Sequence, residues 1–193
     1  MTGGVVSVSS DAKLGANPGA VTATSVTLNG GALKATATFT LSTTRGITLG
    51  SSHGTIEVVT GATVTYDGVI AGASANLTKT GAGTLTLGGT NTYSGSTTIG
   101  ASGGVLRLAG SGSLGSGTYS GAIAIGASGE LQIGSTGAQV LSGNITGSGG
   151  LSKDTGVDSL TLSGTNSYSG STTISTGTVI VGSNSALGAS SAG

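Results

Sequence analysis

The chain of 193 residues has no cysteine, no tryptophan, one proline and one phenylalanine, and only six Lys/Arg and six Asp/Glu. Without cysteine there can be no disulfide framework and no thiolate metal site. The formal net charge is zero, and the basic residues Lys13, Lys34, Arg45, Lys79, Arg107 and Lys153 stand singly. Nucleic acid is therefore excluded as a partner, because phosphate binding needs a clustered basic surface. No apolar run approaches the roughly 18 residues of a membrane-spanning helix. The N-terminal MTGGVVSVSS has no basic stretch followed by an apolar one, so it does not read as a signal peptide.

Glycine (40), threonine (32) and serine (30) make up 102 of the residues that are there. Such a mixture could belong to a disordered linker, but 42 Leu, Ile, Val and Phe residues with zero net charge do not fit that class. Patterning decides the matter. Aliphatic or aromatic pairs flank one residue at Val6/Val8, Val26/Leu28, Phe39/Leu41, Ile47/Leu49, Ile56/Val58 and Val64/Tyr66. The series continues at Leu85/Leu87, Leu106/Leu108, Ile123/Ile125, Leu131/Ile133, Leu160/Leu162 and Val179/Val181. Alternation of period two puts each pair on one face, so these are very short, half-buried strands. Weaker strands are predicted at Val140-Leu141 and Asn144-Ile145-Thr146. Recurrent glycine, at roughly 1 kcal/mol each in a helix interior, excludes helix.

Steps between pairs are of two kinds, short ones from 39 to 47 to 56 to 64 and long ones from 6 to 26 and from 64 to 85 to 106. Short steps nested within long ones imply two or three short strands per coil of about 20 residues, which predicts an all-β chain, a parallel β-solenoid. A longer repeat is overlaid: LTKTGAGTLTLGGTNTYSGSTTI (77–99) matches LSKDTGVDSLTLSGTNSYSGSTTI (151–174) with one inserted residue. Related units are expected at about 73–117 and 147–193, within one continuous solenoid over 1–193. TGGVVSVSSDAKLG (2–15), SGGVLRLAGSGSLG (102–115) and TGTVIVGSNSALG (176–188) share a phase, and the natural chain is expected to extend both ways.

These residues, with TVTYDGVIAG before them, resemble the autotransporter-associated β-strand repeat of type V autotransporter passengers. The match includes Lys79/Lys153, Tyr93/Tyr168 and the Gly-Ser-Thr-Thr-Ile run; Asp154-Thr155-Gly156-Val157-Asp158 departs from it. The resemblance implies a right-handed parallel β-helix at the surface of a Gram-negative bacterium, tethered to the outer membrane through a β-barrel translocator lying outside this segment. Its partners would be neighbouring repeats, with self-association or host and cell-surface contacts. It implies export and display, not catalysis.

No catalytic, cofactor or metal residue is expected, and no cofactor. Asp154 and Asp158, beside Lys153, read as solvated turn residues. His53, the sole histidine, reads as an exposed turn residue. The glycine pairs lack the following Asp of calcium-binding nonapeptides. Gly81-Ala82-Gly83 and Gly147-Ser148-Gly149-Gly150 open no helix, so they are corners and not phosphate loops. Thr22/Thr24, Thr36/Thr38/Thr40, Thr63/Thr65 and Thr84/Thr86 put hydroxyls on strand faces, which fits strand propensity and also recognition of ice or a glycan. The sequons at Asn76 and Asn144 are pattern matches only. In TNTYSGSTTI and TNSYSGSTTI, Asn91/Asn166 and Gly95/Gly170 are expected at corners. Tyr93/Tyr168 are expected to cover a coil edge, and Ile99/Ile174 to point inward. The expected function is a non-catalytic stalk of a secreted surface protein supporting export and display. The alternative is a polysaccharide-binding or polysaccharide-cleaving module.

Overall fold

A computed structural model of the chain describes residues 1–102 and 104–189. The second expected unit, 147–193, runs beyond the described residues at 190–193. All twelve aliphatic pairs lie on strands, and the strands stack into a parallel β-solenoid with three faces. The first face carries β1 (Val5–Val8), β3 (Ala32–Ala35), β6 (Gly54–Val58), β9 (Leu77–Thr80), β11 (Thr97–Ile99), β14 (Ile123–Ile125) and β17 (Ile145–Gly147). The second carries β4 (Phe39–Leu41), β7 (Thr63–Tyr66), β10 (Thr84–Leu87), β12 (Val105–Gly110), β15 (Glu130–Ser135), β18 (Gly150–Lys153) and β20 (Thr172–Ile174). The third is divided between two sheets, β2 (Thr22–Leu28), β5 (Arg45–Leu49) and β8 (Ile70–Ala71), then β13 (Thr118–Tyr119), β16 (Gln139–Leu141), β19 (Ser159–Leu162) and β21 (Thr178–Val181).

Coils are unequal in length, because the corners between strands differ. On the first face the longest runs from Val5 to Ala32 and the shortest from Leu77 to Thr97. The short steps through 39, 47, 56 and 64 lead from face to face; the steps from 64 to 85 to 106 are whole coils on the second face. The interval from 6 to 26 is neither, since β1 and β2 lie on different faces.

Identical alternation on every rung builds columns of interior side chains. On the second face Leu41, Tyr66, Leu87, Leu108, Ile133, Lys153 and Ile174 stand in one register. All but Ile174 are buried, each buried aliphatic contributing roughly 1.5–3 kcal/mol of transfer free energy. Ile174, expected to point inward, stands in the interior column yet is 53% exposed: β20 is the last strand of its sheet, and among the described residues no strand stacks beyond it. Val181 on the last third-face strand is 53% exposed for the same reason.

Candidate functional site

The duplicated motif is the place to look for a site, and the structure puts nearly all of it inside. Tyr93 and Tyr168 do not cover a coil edge; both rings are fully buried. Tyr93 Oη and Thr97 Oγ1 lie 2.8 Å apart, and Thr97 Oγ1 lies 2.8 Å from Tyr119 Oη, which also donates to Gly95 O. The rings of Tyr93 and Tyr119 meet edge to face at 5.7 Å, a favoured aromatic geometry. In the second copy Tyr168 Oη and Thr172 Oγ1 are 2.6 Å apart. Burial pushes the Tyr66 and Tyr119 hydroxyls up to about 12 and Tyr93 well above its ordinary value, so these groups stay protonated.

Asn91 and Asn166, expected as corner residues, are buried too. Asn91 Oδ1 accepts the Ile70 N–H (3.0 Å), while its Nδ2 donates to Gly89 O (2.9 Å) and Ser113 O (3.0 Å). Residues 90–93 form no strand, and across them this amide ties Ile70 of β8 in the preceding coil to Ser113 in the next. Asn166 repeats the arrangement with Ile145 N–H (2.8 Å) and Ala186 O (2.6 Å). A primary amide offers both an acceptor and two donors, which is what a gap in a parallel ladder leaves unpaired. Gly95 and Gly170 are required by proximity: a Cβ would collide with Ala75 O and Gly149 O of the preceding coil.

The motif lysines are the least expected feature. Lys79 and Lys153 occupy interior columns and are 0% and 2% exposed. Lys79 Nζ folds to its own corner and donates to Thr80 O (2.9 Å) and Gly81 O (2.7 Å). Lys153 Nζ donates to Thr155 O and to Gly156 O (3.0 Å). Gly81 and Gly156 take φ of +74° and +77° there, aiming the carbonyls inward. Burial lowers the Lys79 amine to about 8, opposed by the Glu57 carboxylate.

Face assignment shows how the copies relate. In the first, β9, β10, β11 and β12 fall on the first, second, first and second faces; in the second, β18, β19, β20 and β21 fall on the second, third, second and third. The second copy is thus turned by one face about the solenoid axis. From β9, where the first copy starts, three coils lead to β17, and one further face leads to β18, where the second starts. Equivalent residues of the two copies therefore lie on different faces.

The remaining candidates are dispersed. His53 is exposed at a left-handed corner (φ 67°), and its Nδ1 accepts the Asn76 N–H at 3.1 Å. Asp154 is not merely solvated: it pairs with Arg107 two rungs away, which also reaches Gln132 Oε1 (3.0 Å). Asp158 lies apart, half-buried. Glu57 pairs with Lys34 at 2.8 Å, and Asp11 with Arg45 at 3.0 Å. Among the described residues no three His, Asp or Glu converge on a metal position. The threonines do gather: Thr40, Thr65 and Thr86 form one outward column of the second face, and Thr63 and Thr84 stand in another. Thr22 and Thr24 lie on a different face. Arg45, read from sequence as one of several scattered basic residues, is 3% exposed and belongs to a buried network.

The family model described as passenger-associated-transport-repeat matches residues 77–108 and 154–181, the two rotated copies. The adhesin BmaC autotransporter of Brucella suis biovar 1 (strain 1330) is 38% identical over 159 residues, which is 78% of this chain and 4% of that protein. The chain therefore spans only a small fraction of the relative it matches. No solved structure matches the chain.

Proposed function

We propose that the chain, which matches the passenger-associated-transport-repeat model twice and an autotransporter adhesin at 38% identity, is an autotransporter passenger segment and acts as a non-catalytic stalk supporting export and surface display. The observation that carries this reading is the fate of the motif. Asn91/Asn166, Tyr93/Tyr168 and Lys79/Lys153 are spent on backbone groups and neighbouring side chains inside the coil, and the copies face different directions. A duplicated ligand site would keep its side chains accessible on a common surface; a coil-building element need not. Parallel rungs offer each new coil a complete edge to pair with, so coils add one by one outside the cell without ATP. The stalk would be tethered to the outer membrane by a β-barrel translocator elsewhere in the full protein, holding more distal elements away from the cell. A contribution to adhesion or self-association, in line with the relative's printed name, would come through exposed side chains and not through the motif.

The test is surface display of the chain as a passenger on an autotransporter barrel in a Gram-negative host, followed by glycan-array and turnover assays. We expect protease-resistant display that Asn91→Ala and Gly95→Ala reduce, with no specific glycan binding or cleavage. Saturable binding or cleavage of a polysaccharide, abolished by changes to exposed residues with display intact, would instead establish the binding or catalytic module.

A further inference from the structure

From the second coil onward the second face always carries a strand, from β4 through β20. In the first coil the chain instead makes a 3₁₀ turn (Asp11–Leu14) and a loop. This excursion is held in place by one buried guanidinium. Arg45 donates to both Asp11 carboxylate oxygens, to Leu14 O (3.2 Å), to Gly15 O (3.0 Å) and to Asn17 Oδ1 (2.8 Å). Between the excursion and β4 lies a cavity of about 820 Å³, lined by Ser10, Asp11, Asn17, Phe39, Thr40 and Thr43 among others.

β4 is the outermost strand of its sheet. In a parallel strand, alternate residues direct N–H and C=O to opposite neighbours. The Ser42 N–H points away from β7 and is taken by Asp11 Oδ1 at 3.2 Å, so a carboxylate stands in for the missing strand at that position. By the same alternation the N–H and C=O of Thr40 point into the cavity. Phe39 stands on the interior column with Val64, yet is only half-buried, so its ring forms an apolar floor. Every other aromatic of the chain is fully buried.

We propose that this cavity is a binding site for an extended peptide, which adds to β4 as a strand and sets one apolar side chain on Phe39. Backbone pairing would supply the affinity and the Phe39 floor the preference for an apolar residue at alternate positions, the recognition mode of strand addition. The Arg45 network keeps the far wall in place, so the site is preformed and binding need not order it. This goes beyond the stalk function, and neither requires the other.

The test uses the whole chain and a capped heptapeptide, GTLTLGG, which is residues 83–89 and has the pattern of a second-face strand. Binding is followed by fluorescence anisotropy and by backbone amide NMR shifts. We expect saturable binding with shifts confined to residues 10–17 and 39–43. N-methylating the peptide amides should weaken it by about tenfold or more, the equivalent of one or two lost hydrogen bonds. Thr40→Pro should weaken it similarly while leaving the melting temperature unchanged, because only a free N–H can be removed without harm. Equal affinity of the N-methylated peptide, shifts centred on β20 or β21, or no binding at millimolar peptide would overturn the proposal. Self-association of the chain alone that Thr40→Pro abolishes would place a second copy in the cavity, and would overturn a peptide as its occupant.

Discussion

Replacing Asn91 with alanine should be among the most damaging single changes in the chain. The Ile70 N–H, fully buried, has the Asn91 amide as its acceptor, and alanine leaves it unpaired. A buried orphaned donor costs about 1–3 kcal/mol. The two bonds donated by Nδ2 are lost as well, at about 0.5–1.5 kcal/mol each. Gly89 O and Ser113 O are not orphaned, because they keep the N–H groups of Ser113 (3.2 Å) and Asn91 (2.9 Å). The expected loss is therefore about 2–6 kcal/mol, against a native stability on the order of 5–15 kcal/mol. Asn144 is the control: it caps the Thr165 N–H at 3.0 Å in the same way, but is exposed, so water replaces it and alanine should cost under about 1 kcal/mol. The assay is urea unfolding followed by far-ultraviolet circular dichroism. At an m-value of about 2 kcal/mol/M, Asn91→Ala should lower the midpoint by about 1–3 M and Asn144→Ala by under about 0.5 M. Equal shifts for the two variants would refute the inference that the buried amide ties the coils on either side of it together.

Other consequences follow from the same geometry. Gly95→Ala drives a Cβ into Ala75 O and should cost more than about 2 kcal/mol by thermal unfolding; Gly110→Ala, with φ of +55° and open space around it, should cost about 1 kcal/mol. The Lys79 amine has a folded value of about 8, below its unfolded value, so the folded state releases its proton first. Stability should rise from pH 8 toward pH 10.5, and Lys79→Met should remove that rise in pH-dependent urea titrations. Tyr66 and Tyr119 act oppositely: raised to about 12 in the fold, they contribute stability that is present below pH 10 and lost as pH climbs toward 12. Arg45→Met should release the 10–17 excursion, detected as faster amide exchange there with the later coils unaffected.

The strands were legible because alternation is local, and each of the twelve aliphatic pairs can be recognised from its own stretch of chain. The coil was legible from the intervals. The motif's interior was not, because polar residue types were read as surface. Asn91 is buried because backbone groups of the coils on either side are waiting for it, among them Ile70 N–H and Ser113 O. Lys79 is buried because a left-handed glycine turns its own corner's carbonyls inward, which residue type alone does not reveal. Tyr93 was misplaced because only one of its partners is near: Thr97 is close in sequence, but Tyr119, which completes the cluster, belongs to the next coil. The rotation of the copies was hidden by the unequal corners. Three coils lead from Leu77 to Ile145, whereas its counterpart in the repeat is Leu151, an offset that shows only once the register is known. The same corners concealed the threonine column, since one rung separates Thr40 from Thr65 and one separates Thr65 from Thr86, yet the two steps differ along the chain.

The rotated solenoid can be tested by disulfide formation, which the chain's lack of cysteine makes unambiguous. Thr161 is the counterpart in the second copy of Thr86, which lies on the second face, yet it pairs with Val140 on the third. Neighbouring parallel strands stand about 4.8 Å apart, within the Cα separation a disulfide accepts. The pair Thr161→Cys/Val140→Cys should oxidise readily in the folded protein, and Thr161→Cys/Gln132→Cys, which spans two faces, should stay reduced. Oxidation of the second pair in place of the first would put both copies of the motif on one face and contradict the architecture on which the proposed stalk role rests.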